Sequence, residues 1–367
     1  MSAERIAEAG GWEMPDAPLT VTDGLPPGWA AFTAAGPRCL KPEWLAYEPG
    51  RLPGPLRTFT LHRAGRPVVG TVGTVLDTVT ARRFADPYRL LHDGPPGRPE
   101  PARPWAGLAP EDVLPSVLLM SPEYETAVAG PGAGDPAEVA AFVDALLRWA
   151  TAAGARSVVV PYLTPASRLL ADALAAQGFD TVPLGGCQVL SVDWKDPDGY
   201  VAGLPSRRQR KNVGRELRRF AELPVRIEVR TLGTDEPELV ELMMAHARRY
   251  GTPQHEEGAR QLFRRVLDCF GAERTLLATA THEGTMTAFS LFLRDGETLV
   301  GSVAGTRYDA PYASESHFQV LFYEIAGRAP LLGVREVVYG MGDDVTKAQR
   351  GCEPVELRTA FRRLTAT

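Results

Sequence analysis

The sequence predicts a mixed α/β chain folded as two domains that share one element order. Three observations lead there. At 367 residues the chain exceeds one comfortable hydrophobic core. Stretches of period-2 apolar alternation are interleaved with amphipathic stretches of helical spacing. Finally, AAGARSVVVPYL in the first half corresponds to LLGVREVVYGMG in the second, each a strand entered from a helix that glycine ends.

The elements follow in order. Residues 1–28 are polar, broken by Pro and Gly, and read as an arm. Helical turns follow over 29–35 and 41–47. Leu56–His62 and Pro67–Leu76 alternate on either side of a turn and predict a β-hairpin. Residues 84–110, with the run GPPGRPEPARP, read as a long loop or lid, and 113–129 holds one or two strands. In helix 136–154, Val139, Phe142, Val143, Leu146, Leu147 and Ala150 share a face. Strand RSVVV, helix PASRLLADALAAQGF and strand CQVLSVDW complete the half. Pro197, Asp198 and Gly199 then break the pattern and set the domains at 29–196 and 197–367. The second half repeats the order: strand Val225–Arg230, helices 235–250 and 256–270, and three antiparallel strands turned at Glu283-Gly284 and Asp295-Gly296. A helix from Ser314, strand Arg335–Tyr339, a small helix and a last strand over 356–364 finish it.

Bulk properties narrow the function. A formal net charge of −5 excludes a whole-molecule nucleic-acid binder, so any such role needs a local patch. The four cysteines form no CxxC and have no His at zinc-ligand spacing, which predicts reduced thiols and no metal centre. No apolar run approaches the roughly 20 residues of a membrane span, and the first residues lack a signal-peptide pattern. A cytoplasmic protein is expected.

Chemistry-bearing residues concentrate in the second half. Gly340 and Gly342 free the backbone where strand 335–339 ends, and Asp343 and Asp344 stand where a helix N-cap belongs. Lys347 and Arg350 follow at i, i+3, able to meet an oxyanion or a phosphate. The competing reading pairs Lys347 with Asp343 or Asp344. Tyr339, Tyr323 and Asp343 are candidate proton relays. His317, in the first turn of its helix, is a candidate catalytic group or a packing residue, and His246 and His255 read as surface or substrate-rim residues. Residues 207–219 carry seven cations in thirteen positions. Arg207, Arg208, Arg210, Lys211 and Arg215 are therefore candidates for phosphate binding, against a plainly solvated helix. In the first half, Gly130, Gly132 and Gly134 precede a helix and could present N–H groups to a pyrophosphate, although Asp135 would repel one. The other reading is a loop with an N-cap.

The order H-F…F-Y-x-x-I…G…G…K-x-x-R-G-x-x-P-V falls on His317, Phe318, Phe322, Tyr323, Ile325, Gly333, Gly340, Lys347, Arg350, Gly351, Pro354 and Val355. It resembles the C-terminal signature of the FemAB-like branch of the GNAT acyltransferase superfamily. LPSRRQRKNVGRELRR resembles the basic segment that opens the second half of those proteins. Together the matches cover most of residues 200–365. The loop GMGDDVT departs from the family's Gly-rich turn with Glu-His.

The resemblance implies two tandem GNAT-like domains, whose element order the chain shows twice. It also implies an acyltransferase that forms an amide on an amine, a small metabolite, with the acyl donor as co-substrate and no tightly bound cofactor. Fem-type relatives take aminoacyl-tRNA, which would make tRNA a partner; standard GNAT enzymes take acyl-CoA. The glycine-free loop TRYDAPYASES and the basic helix favour aminoacyl-tRNA. A GNAT pair that binds a metabolite or nucleic acid without turnover is the reading from another class.

Overall fold

The computed structural model describes residues 19–93, 105, 107–251 and 254–364. The strands are β1 (Leu19–Asp23), β2 (Arg57–Arg63), β3 (Arg66–Leu76), β4 (Ser116–Leu118), β5 (Ser157–Leu163), β6 (Asp180–Ser191), β7 (Arg226–Arg230), β8 (Thr275–His282), β9 (Thr285–Asp295), β10 (Thr298–Thr306), β11 (Glu336–Gly340) and β12 (Glu353–Arg363). The helices used below are α1 (Pro136–Ala152), α2 (Arg168–Ala176), α3 (Pro197–Gly203), α4 (Arg207–Ala221), α5 (Pro237–Tyr250), α6 (Glu256–Phe270), α7 (Ala313–Phe318), α8 (Glu324–Arg328) and α9 (Asp344–Ala348). A single π turn, Gln319–Tyr323, joins α7 to α8. Leu19–Asp23, read from sequence as part of an arm, is instead an edge strand laddered antiparallel to β2.

The chain forms two compact units, Met1–Gly186 with Glu356–Thr367, and Cys187–Val355. In the first, β1, β2, β3 and β4 are joined antiparallel, β4 runs parallel to β5, and β12 completes the order antiparallel to β5. In the second, β7, β8, β9 and β10 are antiparallel, β10 runs parallel to β11, and Gln188–Ser191 of β6 lies antiparallel to β11. The two halves therefore share one topology, as the sequence predicts, with strands β5 and β11 in equivalent places.

The division between units differs from the 196/197 boundary. Residues 188–191 find their ladder in the second unit, and Arg358–Arg363 find theirs in the first, against Ser157–Leu163. Each half's last strand completes the other half's order. Ladder partners distant in sequence decide this, and local pattern does not encode them.

Each unit has its own core. Val139, Phe142, Val143, Leu146 and Ala150 of α1 are fully buried against Phe59, Val117, Val158 and Leu174. In the second unit Val320, Phe322, Ile325 and Ala329 pack on Leu299, Val337, Ala288 and Phe292. Gly333 ends that helical run in the left-handed region at φ 67°, a conformation that glycine adopts without strain.

Candidate active site

The geometry of the second unit begins with two parallel strands that part. The β10–β11 ladder spans only Thr298–Val300 with Glu336–Val338, whereas β10 continues to Thr306. Between Gly301 and Val303 the register against β9 shifts by one residue, so Ser302 bulges just where the ladder ends. A wedge opens there. The crevice beyond the carboxyl ends of parallel strands is where α/β sheets receive ligands.

Lys347 closes one side of the wedge. Its ammonium donates to the carbonyls of Tyr339 (2.9 Å), Gly340 (3.1 Å) and Met341 (3.0 Å), which accounts for all three of its N–H groups. The residue is 9% exposed, and burial lowers its pKa. Its three N–H groups thus tie down the strand-to-helix turn. Asp343 occupies the N-cap position of α9 at φ 48° but makes no capping bond with its side chain. The capping read from sequence is corrected on that point. Its carboxylate is exposed and acts electrostatically on His246, His317 and Lys347.

Arg350 lies just beyond α9. It is 4% exposed, donating to Glu216 Oε2 (2.9 Å) and to the Thr346 carbonyl (3.1 Å), with Cζ 3.8 Å from the Phe318 ring centroid. Tyr323 donates to the same Glu216 oxygen, and burial raises the Tyr323 pKa, so this phenol stays protonated. Glu216 therefore compensates Arg350. Tyr339 stacks on Phe322 at 4.7 Å, and its buried hydroxyl has no hydrogen-bond partner among the described residues.

The basic segment and the Lys/Arg segment, distant in sequence, meet in one cleft of about 370 Å³. Arg208, Asn212 and Glu216 of α4 line it together with Tyr323, Val345 and Arg350. Ser206 and Gln209 form a capping box that starts α4. Arg207, Lys211, Arg215 and Arg218 recur at i, i+4, i+8 and i+11, share one face, and are exposed without ion-pair partners among the described residues. Arg210 instead turns to the Leu204 carbonyl, and Arg219 pairs with Glu315.

His317 projects from α7 with Nδ1 2.8 Å from Thr306 Oγ1, at the far end of β10. Burial, with smaller effects from His246 and Arg350, lowers its pKa to about 4, so the imidazole is neutral at pH 7. His246 stacks on it with centroids 6.3 Å apart, and burial lowers its pKa too. Thr306 and Tyr308 escaped the sequence reading. Their only local signal is a polar T-R-Y run just after an apolar strand.

The glycines of the first unit are placed differently. The Gly132 amide donates to the Val68 carbonyl, Ala133 to Gly130 and Asp135 to Gly132, so these N–H groups are already satisfied. A Cβ on Gly130 would lie 2.3 Å from Phe32, and Asp135 caps α1 through Ala137. The loop-and-cap alternative accounts for these contacts.

Residues 207–348 match the acetyltransferase (GNAT) domain family. No match to a curated protein was found. Across the whole chain the fold is similar to the crystal structure of FemX, with a TM-score of 0.54 and 12% identity over 92% of this chain and 96% of that one. A tandem GNAT protein from the clavulanic acid biosynthesis pathway gives a TM-score of 0.49 at 14% identity, covering 94% and 98%. The C-terminal domain of a putative lysylphosphatidylglycerol synthetase from Agrobacterium fabrum gives 0.49 at 16%, covering 68% and 78%. No helix among the described residues is long and apolar enough to cross a membrane. Residues 207–348 thus carry an acetyltransferase (GNAT) domain, and the fold of the whole chain is similar to that of FemX.

Proposed function

We propose that the second unit transfers an aminoacyl group from aminoacyl-tRNA to the amine of a small metabolite. The observation that carries this reading is the cation stripe of α4. Arg207, Lys211, Arg215 and Arg218 span twelve residues, about 16 Å of helix axis, enough to follow several phosphates. The same helix lines the cleft through Arg208. A single pyrophosphate gripped by a glycine loop would need a nest of free N–H groups. The Thr306–Ser316 loop has no glycine, and Tyr312 stands at the helix start in the left-handed region at φ 59°. A donor of this class places the reaction in the cytoplasm, where four cysteines outside any disulfide are at home.

In the reaction the amine nitrogen attacks the acyl carbonyl, the ester bond to the ribose breaks, and the ribose hydroxyl leaves with a proton. The free edge of β10 beyond Val300 offers backbone N–H groups to the oxyanion. Neutral His317 takes the proton that the amine must lose. Lys347, with its three N–H groups on carbonyls, positions the turn, and Arg350, held by Glu216 and the Thr346 carbonyl, positions the cleft floor.

The test is incubation with charged tRNA, acyl-CoA and a panel of amines, read by mass spectrometry for new amides. Aminoacyl products from tRNA alone are expected. Products from acyl-CoA alone would transfer the same site to the second donor class, and no product from either would leave a binding protein.

A further inference from the structure

A second constellation of the same unit bears on how the donor is held, and what it implies rests on the transfer reading proposed above. His246, Arg249 and Tyr250 recur at i, i+3 and i+4 in the last turns of α5 and share one face. Tyr308 meets them from just beyond β10, its hydroxyl 2.8 Å from His246 Nδ1. Ring centroids of His246 and Tyr250 lie 4.7 Å apart, those of His246 and Tyr308 5.9 Å, and those of Tyr250 and Tyr308 6.3 Å. The two tyrosine planes cross at 74° and so make two walls of a corner, with the imidazole against both. Tyr250 is 61% exposed and Tyr308 39%. A single exposed ring is ordinary on a protein surface, whereas a group of rings held together in solvent points to a ligand.

Charge and position narrow what that ligand is. The Arg249 guanidinium lies 5.7 Å over the Tyr308 ring and is itself exposed. It already makes the cation–π contact that the corner offers, which leaves the aromatic walls to an uncharged flat group. Glu241 nearby is answered by Arg307 at 3.2 Å. Asp309, exposed after Tyr308, neither attracts nor repels a neutral ring. The corner also adjoins the cation stripe through α7. Arg219 at the end of α4 pairs with Glu315 at 2.9 Å, and His317, further along α7, lies 6.3 Å from His246 ring to ring.

We propose that the His246–Tyr250–Tyr308 corner stacks an unpaired nucleobase of the donor, whose neighbouring phosphate meets Arg249. The base lies flat on Tyr250 and turns its edge to Tyr308, the offset and edge-to-face contacts that aromatic rings prefer. Unpaired bases are held on aromatic faces in this way without regard to sequence, since every base has a π-face. The hydrogen bond from Tyr308 to His246 sets the two rings before the ligand arrives. The α4 stripe then follows the phosphates as far as α7, and the corner takes the terminal base. Its ribose ester is thereby held toward the end of β10, where Thr306 Oγ1 meets His317 Nδ1 at 2.8 Å. Tyr250, Tyr308 and Arg249 bind and position; no bond forms or breaks at them.

The probe is an RNA stem with a single-stranded 3′ overhang ending in a fluorescent purine, whose emission is quenched by stacking. Titration with the wild type should give saturable quenching. Tyr250→Ala should weaken binding at least about fivefold, the lower reach of base–aromatic stacking, while Tyr250→Phe keeps the ring and should stay within about twofold. Tyr250→Ala removes no charge, so the salt slope should hold; Arg249→Gln should flatten it by about 0.7, one phosphate contact on a single strand. A blunt stem has no base to stack, and Tyr250→Ala should bind it as the wild type does. An equal loss on both RNAs would mark a general defect and overturn the stack. CoA also carries a base beside phosphates and serves as competitor. Displacement of the overhang by CoA, lost in Tyr250→Ala, would uphold the corner as a base site while sinking the tRNA reading. Absent quenching, with no Tyr250-dependent binding of CoA, overturns the corner even where charged tRNA proves to be the donor. Quenching by a protein that transfers nothing would uphold it and sink the transfer reading.

Discussion

The two units place a parallel strand pair at the same point of their topology and fill its carboxyl end in opposite ways. In the first, the pair stays joined: Thr126 bridges to Leu163 beyond the β4–β5 ladder. The end is packed with ion pairs. Arg51 reaches Glu48 and Glu123 and lies 5.5 Å over Tyr124; Arg38 pairs with Glu125 at 3.6 Å and lies 5.3 Å over Trp44. Tyr124 and Tyr162 both sit at positive φ, 54° and 59°, held there by this packing. In the second unit the strands separate after Val300 and Val338, burial lowers the pKa of the imidazoles beyond them, and one face of α4 presents cations without ion-pair partners among the described residues. One fold thus satisfies its strand ends internally in one copy and leaves them parted in the other, where the proposed function places the ligand. Chemistry is assigned by which polar groups lack protein partners, and the fold alone does not assign it.

The largest effect expected from this contrast is on stability, in the first unit. Arg51→Met leaves the Glu123 carboxylate, 5% exposed, without its cation. Breaking a buried pair from one side costs about 3–5 kcal/mol. The urea midpoint should fall accordingly, while transfer per folded molecule stays at the wild-type level. A variant of wild-type stability with lost transfer would reverse the assignment and place chemistry in the first unit.

Lys347 is the corresponding test in the second unit. Lys347→Met removes the donor shared by three carbonyls at the end of β11. Hydrogen bonds from a charged group contribute more than neutral ones, and stranded carbonyls add a desolvation penalty. A loss of roughly 2–3 kcal/mol is expected, below that of Arg51→Met. Because the ammonium has no free N–H, turnover below the melting transition should fall less than about tenfold. Losing an oxyanion donor would cost about a hundredfold or more. A stable variant with that larger loss would restore Lys347 to the reacting centre.

Much of this arrangement was legible in the sequence, for identifiable reasons. The hairpins, α1 and the helix–strand–helix run from Ser314 follow from local periodicity, which fixes which face is buried. The cation stripe was visible because seven like charges in thirteen residues have no local reason to be there. What escaped depends on contacts remote in sequence. Glu216 looks like one acid among arginines until Arg350 reaches it from 134 residues away. Tyr308 and His246 meet across 62 residues. The exchange of β6 and β12 between units needs ladder partners that no window of residues contains. The sequence offers Lys347 to an oxyanion or phosphate, or to Asp343 or Asp344, and gives no sign of the three carbonyls that the turn with Gly340 and Gly342, at φ 73° and 82°, brings to its ammonium.

The smallest effect on stability and the most selective on function belongs to α4. Arg207, Lys211 and Arg215 are exposed and unpaired among the described residues, so changing all three to Glu should move the unfolding free energy by no more than about 0.5 kcal/mol per site. Their role, if it is to meet phosphates, shows in binding. Each lost contact retains about one counterion, so the slope of log K against log salt should flatten by about 0.9 per residue for a duplex stem. Filter binding of deacylated tRNA at 50 and 300 mM salt measures it. The triple variant should bind at least about tenfold more weakly at the lower salt, and the gap should narrow at the higher. An unchanged dissociation constant and slope would show that the stripe is a solvated helix face. The contrast between the units would then rest on the wedge and its imidazoles alone.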